Sequence, residues 1–225
     1  MKKNKKMLLV AVLFLMLFAA FTAVVMTVDV RPIGPEGTSV GLATLNGAVA
    51  AKIGVRDGQF VYNEGFYKIS KYLGILSLAV AGLFALYTIV QMICRKGVCK
   101  ADPSLLWLMG FYVVVLGLYL LFNKIPINYR PVILPEEGLE LSYPSSHTLL
   151  ACSIFPTAFV QLRRLLKEKK TLRTLACVLC VVLPVAIVCT RLLSGVHWLT
   201  DILGSIVLSA SLVCFYLTVT APATN

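Results

Sequence analysis

The chain of 225 residues is 59% hydrophobic and only 14% charged, with a mean hydropathy of +0.87. A soluble domain carries about 25% charged residues, and a disordered chain needs low hydrophobicity with high charge, so both classes are excluded. The formal net charge of +11 is unevenly spread, and its position along the chain tells more than its size.

Six long stretches lack Lys, Arg, Asp and Glu: 7–28, 72–94, 103–123, 141–162, 174–190 and 202–225. A helix rising 1.5 Å per residue crosses a hydrocarbon core in about 20 residues, and in lipid the backbone must satisfy its own hydrogen bonds. The pattern predicts an all-α, integral membrane six-transmembrane-helix bundle, one domain over 1–225. The predicted spans are 7–28, 72–94, 103–123, 145–162, 174–193 and 199–220. The first follows Lys2, Lys3, Lys5 and Lys6; it exceeds a signal h-region of about 7–15 residues and lacks a small-x-small cleavage site, so it reads as a retained span. The outer loop 29–71 is punctuated by Pro32, Gly34, Pro35 and Gly37, with a short interfacial helix expected within 41–53. The fifth span is completed by Leu192 and Leu193 if Arg191 snorkels, and Pro184 should kink it.

With six crossings, one side holds the N-terminus, 95–102 and 163–173, with thirteen basic and two acidic residues; the other holds eight of each. The positive-inside rule makes the first side cytoplasmic. This predicts a multi-pass protein of the cytoplasmic membrane, with both termini inside. The basic patch is a topology signal facing anionic lipid, not a nucleic-acid site. None of the seven cysteines falls in the predicted outer loops, so no disulfide framework is expected. Cys177 and Cys180 have CxxC spacing on an apolar helix with no histidine nearby, which fits core packing better than zinc.

Ionisable residues are costly in membranes, so their grouping is informative. Three clusters stand out: Lys124 to Arg130-Pro131; Tyr143-Pro144-Ser145-Ser146-His147; and Thr190-Arg191, then His197 and Asp201. Two crossings separate the loops that carry them, so parity places them on one face. Taken singly, Lys124 and Arg130 also suit interfacial anchors, Pro144-Ser145 a helix start, and His197 a histidine solvated by Asp201. Together they suit phosphoryl transfer, where catalysis is mostly positioning and electrostatic stabilisation. Lys124, Arg130 and Arg191 supply cations, and arginine's planar fork suits phosphate. Backbone N–H groups around Ser145, Ser146 and His147 would form an anion site at a helix N-terminus. Four residues apart on a helix, His197 and Asp201 share a face. Asp201 would then fix the imidazole tautomer and make His197 a nucleophile, while a protonated His147 acts as acid. No carboxylate cluster suited to two magnesium ions is visible, so neither metal nor cofactor is expected.

At these residues the sequence resembles the type 2 phosphatidic acid phosphatase family, relatives of the vanadium haloperoxidases. The family pattern is Lys-x6-Arg-Pro, Pro-Ser-Gly-His and Ser-Arg-x5-His-x3-Asp. Here it reads Lys124-x5-Arg130-Pro131, Pro144-Ser145-Ser146-His147 and Thr190-Arg191-x5-His197-x3-Asp201. The first motif is one residue short, Ser146 replaces glycine, and Thr190 replaces serine. The resemblance implies His197 as the nucleophile forming a phosphohistidine, Asp201 as its partner and His147 as general acid. Lys124, Arg130, Ser145, Ser146 and Arg191 would bind phosphate, in an outward-facing, metal-free site. The expected activity is hydrolysis of a phosphomonoester or of the terminal phosphate of a lipid diphosphate, such as a polyprenyl diphosphate or a phosphatidylglycerol phosphate. The expected partners are that substrate and membrane lipids; nothing in the residues indicates an oligomeric state. The rival readings are a small transporter or channel and a non-catalytic lipid-binding protein.

Overall fold

The computed structural model describes residues 2–135 and 137–220. The chain ends, predicted to lie on the basic side, fall on residues 1 and 221–225, outside the described residues. The chain is mostly helical. Among the described residues, six helices have 20 or more residues: α1 (Lys2–Thr27), α3 (Glu64–Cys94), α4 (Pro103–Phe122), α5 (Ser146–Leu165), α6 (Lys170–Leu193) and α7 (Leu199–Thr220). A short α2 (Ala43–Ile53) lies within the stretch expected to be interfacial. A hairpin of β1 (Val55–Arg56) and β2 (Gln59–Phe60) follows it. Its turn is Asp57-Gly58, both at positive φ, the conformation that Asp-Gly hairpin turns favour.

The outside of the bundle is apolar. Met16, Leu83, Ile93, Val113 and Val185 are each more than half exposed, a surface that water would not tolerate on this scale. Among the described residues, five helices are long and apolar enough to cross a membrane: those containing Asn4–Thr27, Glu64–Cys94, Pro103–Phe122, Lys170–Leu193 and Leu199–Thr220. Although 20 residues long, α5 falls short on composition, because it is the bundle's inner helix and carries its polar groups inward. It packs against α3, α4, α6 and α7. Thr148, Ser153, Thr157 and Gln161 are buried along it beside the apolar cluster of Phe84, Leu105, Leu108, Ile154, Phe155 and Ile187.

Small hydroxyl residues tie the helices together, as expected where apolar burial gives no preference for protein over lipid. The Ser205 hydroxyl donates to the Ser145 carbonyl (2.8 Å) and that of Ser209 to Leu149 (3.2 Å), joining α7 to α5. The Ser211 hydroxyl donates to the Ala11 carbonyl at 2.8 Å, holding α1 along α7. At Gly204 a Cβ would come within 2.7 Å of the Tyr143 hydroxyl, so only glycine lets that buried ring seat against α7.

One sequence expectation shifts. The apolar run from residue 72 marks only part of α3, which begins at Glu64. Asn63 caps it, its side chain accepting from the Phe66 N–H at 3.1 Å, a contact worth about 1 kcal/mol. Glu64 and Lys68 pair one turn apart. The first two turns are therefore charged on one side, which a charge-free criterion cannot register. Pro184 lies within an uninterrupted α6.

Candidate active site

The turn between α6 and α7 supplies the central residues. Gly195 reverses the chain there at φ 73°, a left-handed conformation that favours glycine. Its missing Cβ would also lie 2.8 Å from the Val61 carbonyl oxygen. Asp201, in the first turn of α7, reaches back to accept the Trp198 N–H at 2.9 Å, which is half of a capping box. The same oxygen, Oδ2, lies 3.4 Å from His197 Nδ1, and Oδ1 accepts from Asn128 Nδ2 at 3.3 Å. Asp201 is fully buried and His197 almost so.

The buried Arg191 sets the tautomer. Its Nη2 donates to His197 Nε2 at 2.9 Å. A guanidinium has no acceptor, so Nε2 must carry the lone pair and Nδ1 the proton, aimed at Asp201. Burial first, then Arg191 and Arg130, hold the His197 imidazole well below its ordinary pKa of 6.5, which keeps it neutral and its Nε2 lone pair available. Arg191 is steadied by the Ser70 hydroxyl, which accepts from Nη1 at 3.2 Å, and by the Tyr67 ring, 5.7 Å from the guanidinium carbon.

His147 stands in the first turn of α5, its Nδ1 3.4 Å from the Ser146 hydroxyl. Its ring fits over Gly74 of α3, where a Cβ would overlap the imidazole Cδ2. Gly74→Ala is therefore expected to displace the His147 ring, at a cost of about 1–3 kcal/mol in stability from overpacking. A melting curve would check it; an unchanged midpoint would show that the ring moves aside freely.

His147 and His197 line one cleft of about 590 Å³, together with Ser146, Arg130, Arg191 and Lys71. Arg130 enters from the loop between α4 and α5, where its N–H bonds the Glu140 carbonyl. Ser145 and Asp201 stand fully buried behind the wall, with the Ser145 N–H donating to the Asp201 carbonyl at 3.1 Å. Lys124 is exposed and does not line the cleft, so the shortened first motif brings Arg130 in and leaves Lys124 out. The Thr190 hydroxyl turns back onto its own helix, donating to the Ala186 carbonyl at 2.6 Å. Arg130 Nε, Arg191 Nε and the Ser145 hydroxyl are buried with no partner among the described residues. Unspent donors of this kind, beside cations, suit an anion.

Sequence reasoning missed Tyr67, Ser70, Lys71 and Gly74. They recur at helical spacing along one face of α3, a signal hidden because Tyr67, Ser70 and Lys71 were assigned to the outer loop and Gly74 to an apolar span. It also missed Glu137 and Glu140, which pair with Arg130 at 2.6 Å each. Among the described residues, no group of three His, Cys, Asp or Glu is placed to hold a metal ion.

A family model described as the PAP2 superfamily matches residues 74–224. No curated protein matches the chain. Among solved structures, the chain is similar to a transmembrane PAP2-type phosphatidylglycerolphosphate phosphatase from Bacillus subtilis. The TM-score is 0.58 at 20% identity, over 93% of this chain and 94% of the other. At that identity the likeness speaks for the fold.

Proposed function

The chain belongs to the PAP2 superfamily, and on that premise we propose that it is a membrane lipid phosphatase working through a phosphohistidine. The observation that carries this reading is the meeting of His147, His197, Arg130 and Arg191 on one cleft. We read all six long helices as crossings, with α5 included because its polar face is turned inward. The positive-inside rule then puts the cleft on the extracytoplasmic side of the cytoplasmic membrane and both termini inside.

In this reading the phosphoryl group lies between Arg130 and Arg191, against the N-terminus of α5 where Ser145 and Ser146 begin the helix. Arg191 Nη2 leaves His197 Nε2 for a phosphoryl oxygen, freeing the lone pair. Nε2 attacks phosphorus, the bond from phosphorus to the leaving oxygen breaks, and a protonated His147 gives that oxygen its proton. Asp201 holds the Nδ1 proton and stabilises the cationic ring. A water then loses a proton to His147 and attacks the phosphohistidine, releasing orthophosphate and restoring both histidines. No metal or cofactor is called on; Lys124 is left at most a peripheral part.

The walls of the cleft support a lipid substrate. Ile75 of α3 and Tyr119 and Phe122 of α4 line the same cleft, so an apolar tail can leave between these helices while its phosphate meets the arginines. The Bacillus subtilis neighbour is described as acting on phosphatidylglycerolphosphate, which with polyprenyl diphosphate is a first substrate to test. Purified protein in detergent should release phosphate from one of these lipids far faster than from a water-soluble ester, and a chelator should leave the rate intact. No release from any lipid phosphate would refute the reading, and a strict magnesium requirement would refute the metal-free step.

A further inference from the structure

Both ends of the Arg130 fork are already occupied. Nη1 donates to Glu137 Oε2 and Nη2 approaches Glu140 Oε2, each at 2.6 Å. Glu137 holds more than Arg130. Its Oε1 accepts from the Tyr67 hydroxyl at 2.8 Å and lies 3.9 Å from Lys71 Nζ. Both carboxylates line the cleft, so they stand where a phosphoryl group bound to Arg130 would stand. Arg130 is mostly buried, so its fork can make new contacts only by giving up old ones.

From this geometry we infer that Glu137, with Glu140 as second arm, is an internal competitor of the substrate phosphate: a carboxylate latch that occupies Arg130 until a more highly charged anion displaces it, and that recaptures Arg130 when orthophosphate leaves. The inference rests on the phosphatase reading for what the phosphate comes from, but not for the competition itself. Without a competitor, two arginines and a lysine around one anion would retain the product. A phosphate arriving at Arg130 exchanges one charge-assisted hydrogen bond for another, so net affinity is only the difference between them. The latch is also well held. Burial works against the ionised Glu137, yet the bonds from Tyr67 and Arg130 outweigh it and keep its carboxyl below the ordinary range.

The test is Glu137→Gln in the full chain, with inorganic phosphate as probe, measured both by calorimetric titration and as a product inhibitor. Glutamine keeps the shape and a carbonyl acceptor for Tyr67 but removes the charge. The latch predicts tighter phosphate binding by about tenfold, the size of one charge-assisted bond lost from the competitor, with a matching fall in KM for the lipid phosphate. A residue that merely shaped Arg130 would give the opposite sign. Glu140→Gln is the second variant, expected to tighten binding in the same direction and usable should Glu137→Gln fail to fold. Tighter binding without turnover in the parent supports the latch while removing the enzyme reading. Unchanged or weaker binding in the variants, with turnover intact in the parent, overturns the latch alone.

Discussion

Replacing His197 by glutamine is expected to abolish phosphate release, a loss on the order of 10⁵-fold in kcat, while the lipid phosphate still binds. The expectation follows from the position of one lone pair. His197 Nε2 faces the cleft and accepts from Arg191, whereas Nδ1 is directed at Asp201. In the proposed reaction no other group replaces Nε2, and His147 is committed to the leaving oxygen. Glutamine still offers an amide to the Arg191 side, so the pocket should hold its shape, which a melting curve on the same sample would establish. The decisive measurement is paired: phosphate release in a single turnover, and acid-labile phosphate on the protein trapped during turnover. Both should vanish in the variant. Full activity would remove His197 as nucleophile.

The helices were readable from the chain because lipid imposes a simple rule on it. The charge-free run 103–123 marks α4 almost to the residue, whereas the last run starts three residues inside α7, whose first turn carries Asp201. The same rule blurs α3, whose first turns carry Glu64, Lys68 and Lys71. A charge-free run also marks α5, while hydropathy alone does not, because hydroxyls and Gln161 belong on a helix that faces protein on nearly every side. The hairpin at Asp57-Gly58 has a local turn signal that went unread between two longer features.

The site divides along similar lines. His197 and Asp201 could be paired from spacing alone, since four residues on a helix share a face. Gly195 is a different matter, because its need for positive φ and its close approach to Val61 depend on a loop folded from elsewhere. Gly74 is unremarkable in sequence and matters only because the His147 ring sits on it. Glu137 and Glu140 look like ordinary loop acids, and their meaning comes from the arginine they face. Lys124 shows the converse: a residue in a recognisable motif whose exposure no spacing argument would reveal, because where a chain leaves a helix end decides which way its side chains go.

Replacing Asp201 by asparagine should lower kcat by about 10³–10⁴-fold, with little change in KM, as expected when the partner that fixes a catalytic tautomer is lost. Asp201 accepts on both oxygens: Oδ2 from the Trp198 N–H with His197 Nδ1 close by, Oδ1 from Asn128. An amide cannot satisfy both sides. Turned with its NH₂ toward His197, it opposes the Nδ1 proton and favours the tautomer with hydrogen on Nε2; that tautomer has no lone pair for phosphorus and confronts the Arg191 donor. Turned the other way, its NH₂ faces the Asn128 NH₂ in a buried space, and a local shift must relieve the clash. Either orientation leaves Arg130 and Arg191 able to hold phosphate, so the damage falls on the chemical step. A pH profile separates this from simple misfolding. With its carboxylate gone, the His197 ring loses the group that stabilises its cationic intermediate, and raising pH cannot restore that charge. The deficit should therefore persist across the pH range in which the protein stays folded. A wild-type kcat in the variant would show that Asp201 serves only to cap α7.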